Sequence, residues 1–172
     1  MKYVVDTNIV SEFMKPSPND NVIGWAQDHN KDILLSSITV QELYYGLFTM
    51  PNGKRKEILR ESIDAIIREC KDRILPFDAF CSYLCAELRA NTRRMGRPGT
   101  IEDLMIAAIC KRNDAILVTH NTKDFDYLGI QLCDPFEYES ETLKHLKRKE
   151  QDNSPQEQFD EQINVAFEGR NQ

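Results

Sequence analysis

Short apolar runs alternate with longer segments of helical periodicity through most of the chain. The runs at 2–5, 33–38 and 115–119 are apolar on both alternating faces, which is typical of parallel strands covered by helices on both sides. Two shorter apolar segments, at 74–75 and 130–132, are further candidate strands. These runs predict a small sheet whose strands are mainly parallel.

Three segments between the candidate strands have the pattern of helices. Residues 54–70 and residues 78–95 each place large apolar side chains on one stripe at helical spacing. Residues 101–112 are apolar nearly all round, which indicates a helix buried on every side. Because strands and helices alternate along the chain, the sequence predicts an α/β fold with a mainly parallel central sheet.

The periodic pattern stops near residue 138. Beyond it Glu, Gln, Lys, Asp and Asn dominate, and the few apolar residues are scattered. A segment of this composition does not build a core of its own. We therefore predict one domain at 1–138, followed by a polar tail at 139–172 that is disordered or partly helical at 141–151.

The composition is that of a globular protein that remains in the cytoplasm. No apolar run approaches the roughly 18–20 residues that a membrane span needs, and Asp6 comes too early for the apolar core of a secretory signal. The five cysteines form no CxxC pair, which favours reduced thiols over a disulfide framework. Cys81 and Cys85 are one helical turn apart, but burial as small apolar side chains is a better interpretation than a soft-metal site.

The net charge of −6 is unusual for a protein that binds nucleic acid, but it is unevenly distributed. Residues 139–172 contain eight acids against five bases, so half of the excess lies in the predicted tail. Basic side chains are concentrated at 54–60 and at 89–97. Local positive surface for an anionic partner is therefore compatible with the overall charge, as are two ordinary solvated helix faces.

Four acids lie where a predicted strand ends or the next helix begins. Asp6 follows the first run at once, and Glu42 lies four residues after the second. Asp103 is in the first turn of the buried helix, and Asp124 follows the third run. Each acid alone also suits a helix cap or a turn. In open α/β sheets, however, ligands bind beyond the carboxyl ends of the strands, where these carboxylates can converge.

A convergence of carboxylates favours a bound divalent cation, because crowded like charges are otherwise costly. Mg²⁺ and Mn²⁺ prefer carboxylate oxygens, and one or two such ions can promote phosphodiester cleavage. The three histidines have neither HExxH nor HxH spacing, which argues against zinc hydrolysis. An aspartate-nucleophile phosphatase would need an acid where this chain has Asn8, and no Gly-rich loop supports dinucleotide binding.

Four segments resemble the four motifs of the PIN-domain family, in the order and at the spacing of that family. They are VVDTNIV at 4–10, SSITVQELYYG at 36–46, EDLMIAA at 102–108 and VTHNTKDF at 118–125. The resemblance covers about residues 2–136 and points to the VapC toxins of bacterial type II toxin–antitoxin pairs. It implies a three-layer α/β/α domain that forms a homodimer and cuts RNA with Mg²⁺ or Mn²⁺. It also implies inhibition by a cognate VapB antitoxin, whose C-terminal segment blocks the acidic pocket.

The resemblance also assigns roles to the acids. Asp6 and Asp103 become the main metal ligands, and Glu42 completes the site directly or through water. In the fourth motif we favour Asp124 as the acid, with Asn121 in support. The residues expected to orient the carboxylates are Thr7, Asn8, Thr119 and Asn121.

Three arginines precede the turn that leads to Asp103. Arg93, Arg94 and Arg97 carry planar guanidinium groups that suit bidentate contacts with phosphate, so we hypothesise that they dock RNA. Contacts with a helix C-terminus or with acids of the antitoxin are equally compatible. For the whole chain, the alternative is a non-catalytic PIN-like module that binds RNA or a partner. The full set of acids argues against that alternative.

Overall fold

Five short parallel strands form the centre of the fold. They are β1 (Tyr3–Val5), β2 (Ile33–Ser36), β3 (Ile74–Leu75), β4 (Ile116–Val118) and β5 (Leu132–Cys133). Their order in the sheet is β3-β2-β1-β4-β5, which places β1 at the centre. In this computed structural model the chain is described over residues 1–140, so the predicted tail lies almost entirely outside the described residues.

Helices cover both faces of the sheet. Those within residues 1–140 are α1 (Thr7–Phe13), α2 (Asp20–His29), α3 (Ser37–Thr49), α4 (Lys54–Glu69), α5 (Ala79–Arg94) and α6 (Ile101–Asn113). One core cluster packs α5 and α6 against the face of β1 that carries Val4. The other packs α1, α2, α3 and α4 against the face that carries Tyr3 and Val5. The predicted three-layer α/β/α arrangement is confirmed.

Alternation along each strand explains why the runs are apolar throughout. Val4 and Val5 in β1 point to opposite faces, and both are almost completely buried. In register with them, Leu117 and Val118 of β4 divide between the same two faces. Burial of side chains of this size contributes about 1.5–3 kcal/mol each, which stabilises a sheet whose strands have only two to four residues.

The helix α6 is buried along most of its length, as its apolar sequence predicts. Leu104 and the five residues from Ile106 to Cys110 are buried, and α6 packs closely along α5. Cys81 and Cys85 of α5 lie in the same core with free thiols, which confirms their interpretation as packing residues. Burial raises the pKa of both thiols. No helix of residues 1–140 is long and apolar enough to cross a membrane.

The predicted strand at 33–38 is two residues too long. β2 ends at Ser36, and α3 begins at Ser37. The reason is the Ser36 side chain, whose Oγ accepts a hydrogen bond from the Thr39 backbone N–H at 2.9 Å and so caps the helix. Thr39 therefore lies inside the first turn of α3 rather than at its cap.

Candidate active site

The carboxylate of Asp6 is held by three hydrogen bonds at the carboxyl end of the central strand. Its Oδ1 accepts from the Thr7 backbone N–H at 2.7 Å, which caps α1. Its Oδ2 accepts from Asn8 Nδ2 and from Thr119 Oγ1, each at 2.8 Å. The backbone N–H of Asp6 also donates to the Val118 carbonyl at 2.9 Å. Asp6 is only 7% exposed, so both its position and its rotation are fixed.

The electrostatic environment of Asp6 disfavours its ionised form. Burial raises its pKa, and the hydrogen bonds from Thr119 and Thr7 lower it in part. The negative charges of Asp103 and Asp124 raise the pKa again, and the net shift is upward. The hydrogen bonds from neutral donors therefore do not fully offset the cost of ionising Asp6.

Glu42 is brought close to Asp6 by the helix that follows the neighbouring strand β2. It lies on α3, where Thr7 Oγ1 donates a short hydrogen bond to its Oε2. Burial raises the pKa of Glu42, the Thr7 hydrogen bond lowers it, and the charges of Asp6, Asp103 and Glu102 raise it further. Glu42 has the capping-box spacing from Thr39, but it does not cap α3, because the cap of that helix is Ser36. Glu42 thus faces other acids instead of a helix end.

Asp103 is positioned by the N-terminus of α6. Thr100 caps this helix by accepting from the Asp103 backbone N–H at 3.1 Å, and its hydroxyl donates to Asp103 Oδ2 at 2.5 Å. Burial raises the pKa of Asp103, the Thr100 hydroxyl lowers it, and the charges of Asp124 and Glu102 raise it. The spacing Thr100-x-x-Asp103 therefore does act as a cap, while its acid also lies among like charges.

Asp124 and Asn121 occupy the turn after β4. Asp124 ends the turn Thr122–Asp124, is exposed, and is close enough for its charge to raise the pKa of both Asp6 and Asp103. Asn121 contacts the site through its backbone, whose N–H donates to Thr119 Oγ1 at 3.1 Å. Of the two candidates for the fourth acid, Asp124 is the one whose charge reaches the other carboxylates.

Glu102 is an acid of this cluster that sequence reasoning did not select. It is the neighbour of Asp103 in the first turn of α6, and its charge raises the pKa of both Glu42 and Asp103. Two acids in the first turn also suit the positive end of the helix dipole. Two adjacent acids at the start of a predicted helix are the sequence feature that could have identified Glu102.

The donor set fits a hard divalent cation that keeps much of its water. Among the ion pairs of residues 1–140, none involves the four predicted acids. In that same part of the chain, no three His, Cys, Asp or Glu side chains are close enough to form a ready-made metal cage. Mg²⁺ characteristically uses one or two carboxylates and several waters, so an open group of acids matches it better than it matches zinc.

The three predicted RNA-binding arginines differ in their surroundings. The guanidinium of Arg97 lies 3.2 Å from Asp126 Oδ1 and 4.1 Å from the centroid of the Tyr127 ring. Arg94 donates to Asn91 Oδ1 at 2.7 Å, within its own helix. Arg93 is exposed in the last turn of α5. Arg97 thus links the segment before α6 to the turn that carries Asp124, and RNA docking stays a prediction for all three.

An apolar groove leads away from the acids. Its volume is about 890 Å³, and it runs between α1, α3 and α4 from Thr7 and Glu42. Its apolar walls include Met14, Leu43, Leu47, Met50, Ile58, Leu59 and Ile63. Lys15, Lys54 and Arg55 add positive charge to the lining. The groove therefore begins at Glu42 and continues over apolar and basic side chains, a lining that suits an amphipathic segment of a partner.

Comparisons with known proteins agree on one family. The model of the PIN domain matches residues 3–130. Toxin FitB of Neisseria gonorrhoeae is 33% identical over 135 residues, which are 77% of this chain and 97% of that protein. VapC ribonuclease Y4jK of Sinorhizobium fredii is 34% identical over 136 residues, 78% of this chain and 97% of that protein. A chain in the structure of FitAB bound to an IR36 DNA fragment matches with a TM-score of 0.73 and 31% identity, covering 81% of this chain and 99% of that chain.

Proposed function

The chain belongs to the PIN domain family, and we propose that it is a divalent-metal-dependent endoribonuclease and the toxin of a toxin–antitoxin pair. The observation that carries the proposal is that Asp6 lies close enough to Asp103 and Asp124, and Glu42 close enough to Asp6 and Asp103, for their charges to interact, while none of the four acids has a basic partner among residues 1–140. The ribonuclease name of the Sinorhizobium relative supports the reaction. A cytoplasmic location remains part of the proposal.

In the proposed reaction, Asp6 and Asp103 would hold the ion, and Glu42 and Asp124 would complete the site. An ion bound there would supply Lewis acidity towards the phosphate and towards an attacking water. The three donors to Asp6 keep its carboxylate from rotating, so its contribution to the site is set before RNA arrives. Thr7 orients Glu42 in the same way.

Replacement of Asp103 by Asn tests the proposal by activity and by stability. We expect Asp103→Asn to abolish cleavage of total RNA in Mn²⁺ and to weaken Mn²⁺ binding in a calorimetric titration. In EDTA the same variant should melt at a higher temperature than wild type at neutral pH. The folded protein raises the pKa of Asp103, so this residue favours folding only at low pH, and that contribution is lost as the pH rises through the folded pKa.

Asp20→Asn is the matched control for that experiment. Asp20 is an exposed acid in the first turn of α2, as Asp103 is in the first turn of α6. It should change neither cleavage nor Mn²⁺ binding. Wild-type cleavage that persists in EDTA would exclude the metal mechanism, and a protein that binds Mn²⁺ but cuts no RNA would favour the non-catalytic alternative.

The partner we propose is an antitoxin whose apolar segment lies in the groove between α1, α3 and α4. Ile58 is 55% exposed although it lines this groove, so a partner would bury apolar surface that is otherwise open to water. The FitB relative is named a toxin, and FitAB was solved as one assembly on DNA. We propose a homodimer as well, supported by the exposed aromatic pair Phe80 and Tyr83 on α5.

A further inference from the structure

The imidazole of His120 is exposed and yet held in place. It follows β4 directly after Thr119, and its side chain is 56% exposed. Its Nδ1 lies 3.0 Å from Asp134 Oδ2, and its ring packs on Phe136 with centroids 4.2 Å apart. An exposed ring with two such restraints is preorganised for a further contact, one that residues 1–140 do not supply.

Asp134 fixes both rings at once. Its Oδ2 pairs with His120, while its Oδ1 accepts from the Phe136 backbone N–H at 2.9 Å. Because the Asp134 side chain is only 12% exposed, it anchors the two rings to the end of β5. His120 and Phe136, whose ring planes are tilted by 34°, thus form one aromatic surface, which we call the aromatic platform.

The aromatic platform is joined to the acid site by a short path. The His120 backbone N–H donates to Asn8 Oδ1 at 3.3 Å. Asn8 and Thr119 both donate to Asp6 Oδ2 at 2.8 Å. The backbone of His120 is therefore two hydrogen bonds away from the carboxylate that we propose as a metal ligand.

We propose that the aromatic platform binds an unpaired RNA base next to the phosphate that is cut. This proposal rests on the ribonuclease function proposed above. An aromatic face stacks on any base, and sequence-tolerant stacking on His and Phe rings is a common means of holding single-stranded RNA. A phosphate would be a poor occupant, since the Asp134 carboxylate already lies against the imidazole.

Two substitutions of His120 separate stacking from hydrogen bonding. His120→Phe keeps an aromatic face and loses the bond to Asp134, whereas His120→Asn keeps a donor for Asp134 and loses the ring. The probes are single-stranded RNA decamers with 2-aminopurine at each position in turn, bound in Ca²⁺ so that cutting is prevented. We expect His120→Phe to bind like wild type and His120→Asn to bind about tenfold more weakly, the loss typical of one stacked base.

Fluorescence should identify the stacked position. Wild type and His120→Phe should quench 2-aminopurine at one position, and His120→Asn should not. His29→Asn is the matched control. The His29 ring also stacks on an aromatic ring, that of Trp25 at a centroid distance of 5.2 Å. It contacts Tyr3 at the start of β1, however, whereas the acids lie beyond the strand's other end. It should leave binding and quenching unchanged.

Other outcomes would overturn the platform. Equal binding by wild type and His120→Asn, or equal weakening in His120→Phe and His120→Asn at unchanged melting temperature, excludes stacking as the role of the ring. Cleavage of total RNA in Mn²⁺ by wild type is measured in parallel. If wild type cuts RNA while His120→Asn binds normally, the platform fails and the ribonuclease function stands.

Discussion

The hydroxyl of Thr119 connects three parts of the acid site, so Thr119→Val tests how the site is held together. It donates to Asp6 Oδ2 at 2.8 Å, and it accepts from Asn8 Nδ2 at 3.0 Å and from the Asn121 N–H at 3.1 Å. Thr119 is completely buried. Valine keeps the shape of the side chain and removes all three hydrogen bonds.

The expected loss of stability follows from those bonds. A hydrogen bond to a charged group contributes about 1.5–3 kcal/mol, and a buried donor left without an acceptor costs about 1–3 kcal/mol. Asn8 Nδ2 keeps Asp6 Oδ2 as its acceptor, and Asn121 is exposed enough for water to reach it. The total should therefore lie near the lower end, about 2 kcal/mol, which corresponds to a fall in melting temperature of roughly 4–10 °C.

The same substitution should shift the pH dependence of cleavage. The Thr119 hydrogen bond is the largest of the influences that lower the pKa of Asp6, so its loss raises that pKa further. Metal binding requires the ionised carboxylate. The acid limb of kcat/KM should therefore move to higher pH, and activity near neutrality should fall about 10–100-fold, as is usual when a group that orients a metal ligand is lost.

Thr119→Ser is the matched control. It keeps the hydroxyl and removes one methyl group, at a cost of about 0.8 kcal/mol. Both variants should melt below wild type, but Thr119→Val alone should displace the acid limb. We would measure thermal melting in EDTA and RNA cleavage in Mn²⁺ across a pH series. An acid limb at the same pH in both variants would refute the role of this hydroxyl in setting the charge of Asp6.

Three further substitutions test separate contacts. In Glu42→Gln, the new side chain can still accept the hydrogen bond from the Thr7 hydroxyl, so we expect a near-normal melting temperature. RNA cleavage should be at least tenfold slower, which corresponds to about 1.4 kcal/mol in the activation free energy. Undiminished cleavage would show that the role of Glu42 is structural. Arg97→Gln should lower stability by about 1 kcal/mol, slow cleavage and make the salt dependence of RNA binding shallower by about one unit, whereas an unchanged slope would limit Arg97 to its contacts with Asp126 and Tyr127. Ile58→Glu should prevent co-purification with a co-expressed antitoxin of the proposed kind and leave RNA cleavage intact. Met95→Glu, which places the same charge on an exposed residue outside the groove, should change neither result.

The strands and the buried helix were predictable because their signal is local. A run that is apolar on both faces, such as β1 or β4, requires cover on both sides wherever it lies in the sheet. The helix α2 was not predicted, and helices at α1 and α3 were considered only as alternatives in which Asp6 or Glu42 acts as a cap. α1 has only seven residues, and α3 exposes Tyr45 and Phe48, which obscures the stripe formed by Leu43 and Leu47.

The candidate site was partly predictable for a different reason. The position of an acid after a strand is visible in the sequence, and the parallel sheet brings such positions together. The contacts of His120 were not visible, because Asp134 and Phe136 reach it only through the pairing of β5 with β4. Strands of two or three residues leave no pattern in the sequence that shows which strands pair with each other.

Asp6 shows why a structural and a functional interpretation of one acid need not compete. Its Oδ1 caps α1, a role that contributes about 1 kcal/mol, and its two oxygens together still offer lone pairs to a cation. The cap explains an Asp at this position, but it does not explain why Asp103, Asp124 and Glu42 surround that Asp. The charges of Asp103 and Asp124 raise the pKa of Asp6, and those of Asp6 and Asp103 raise the pKa of Glu42, so these interactions disfavour the ionised carboxylates in the protein alone. A cation bound by these carboxylates would reverse the sign of that interaction, so an arrangement that is unfavourable for the chain alone would be favourable in the metal-dependent nuclease that we propose.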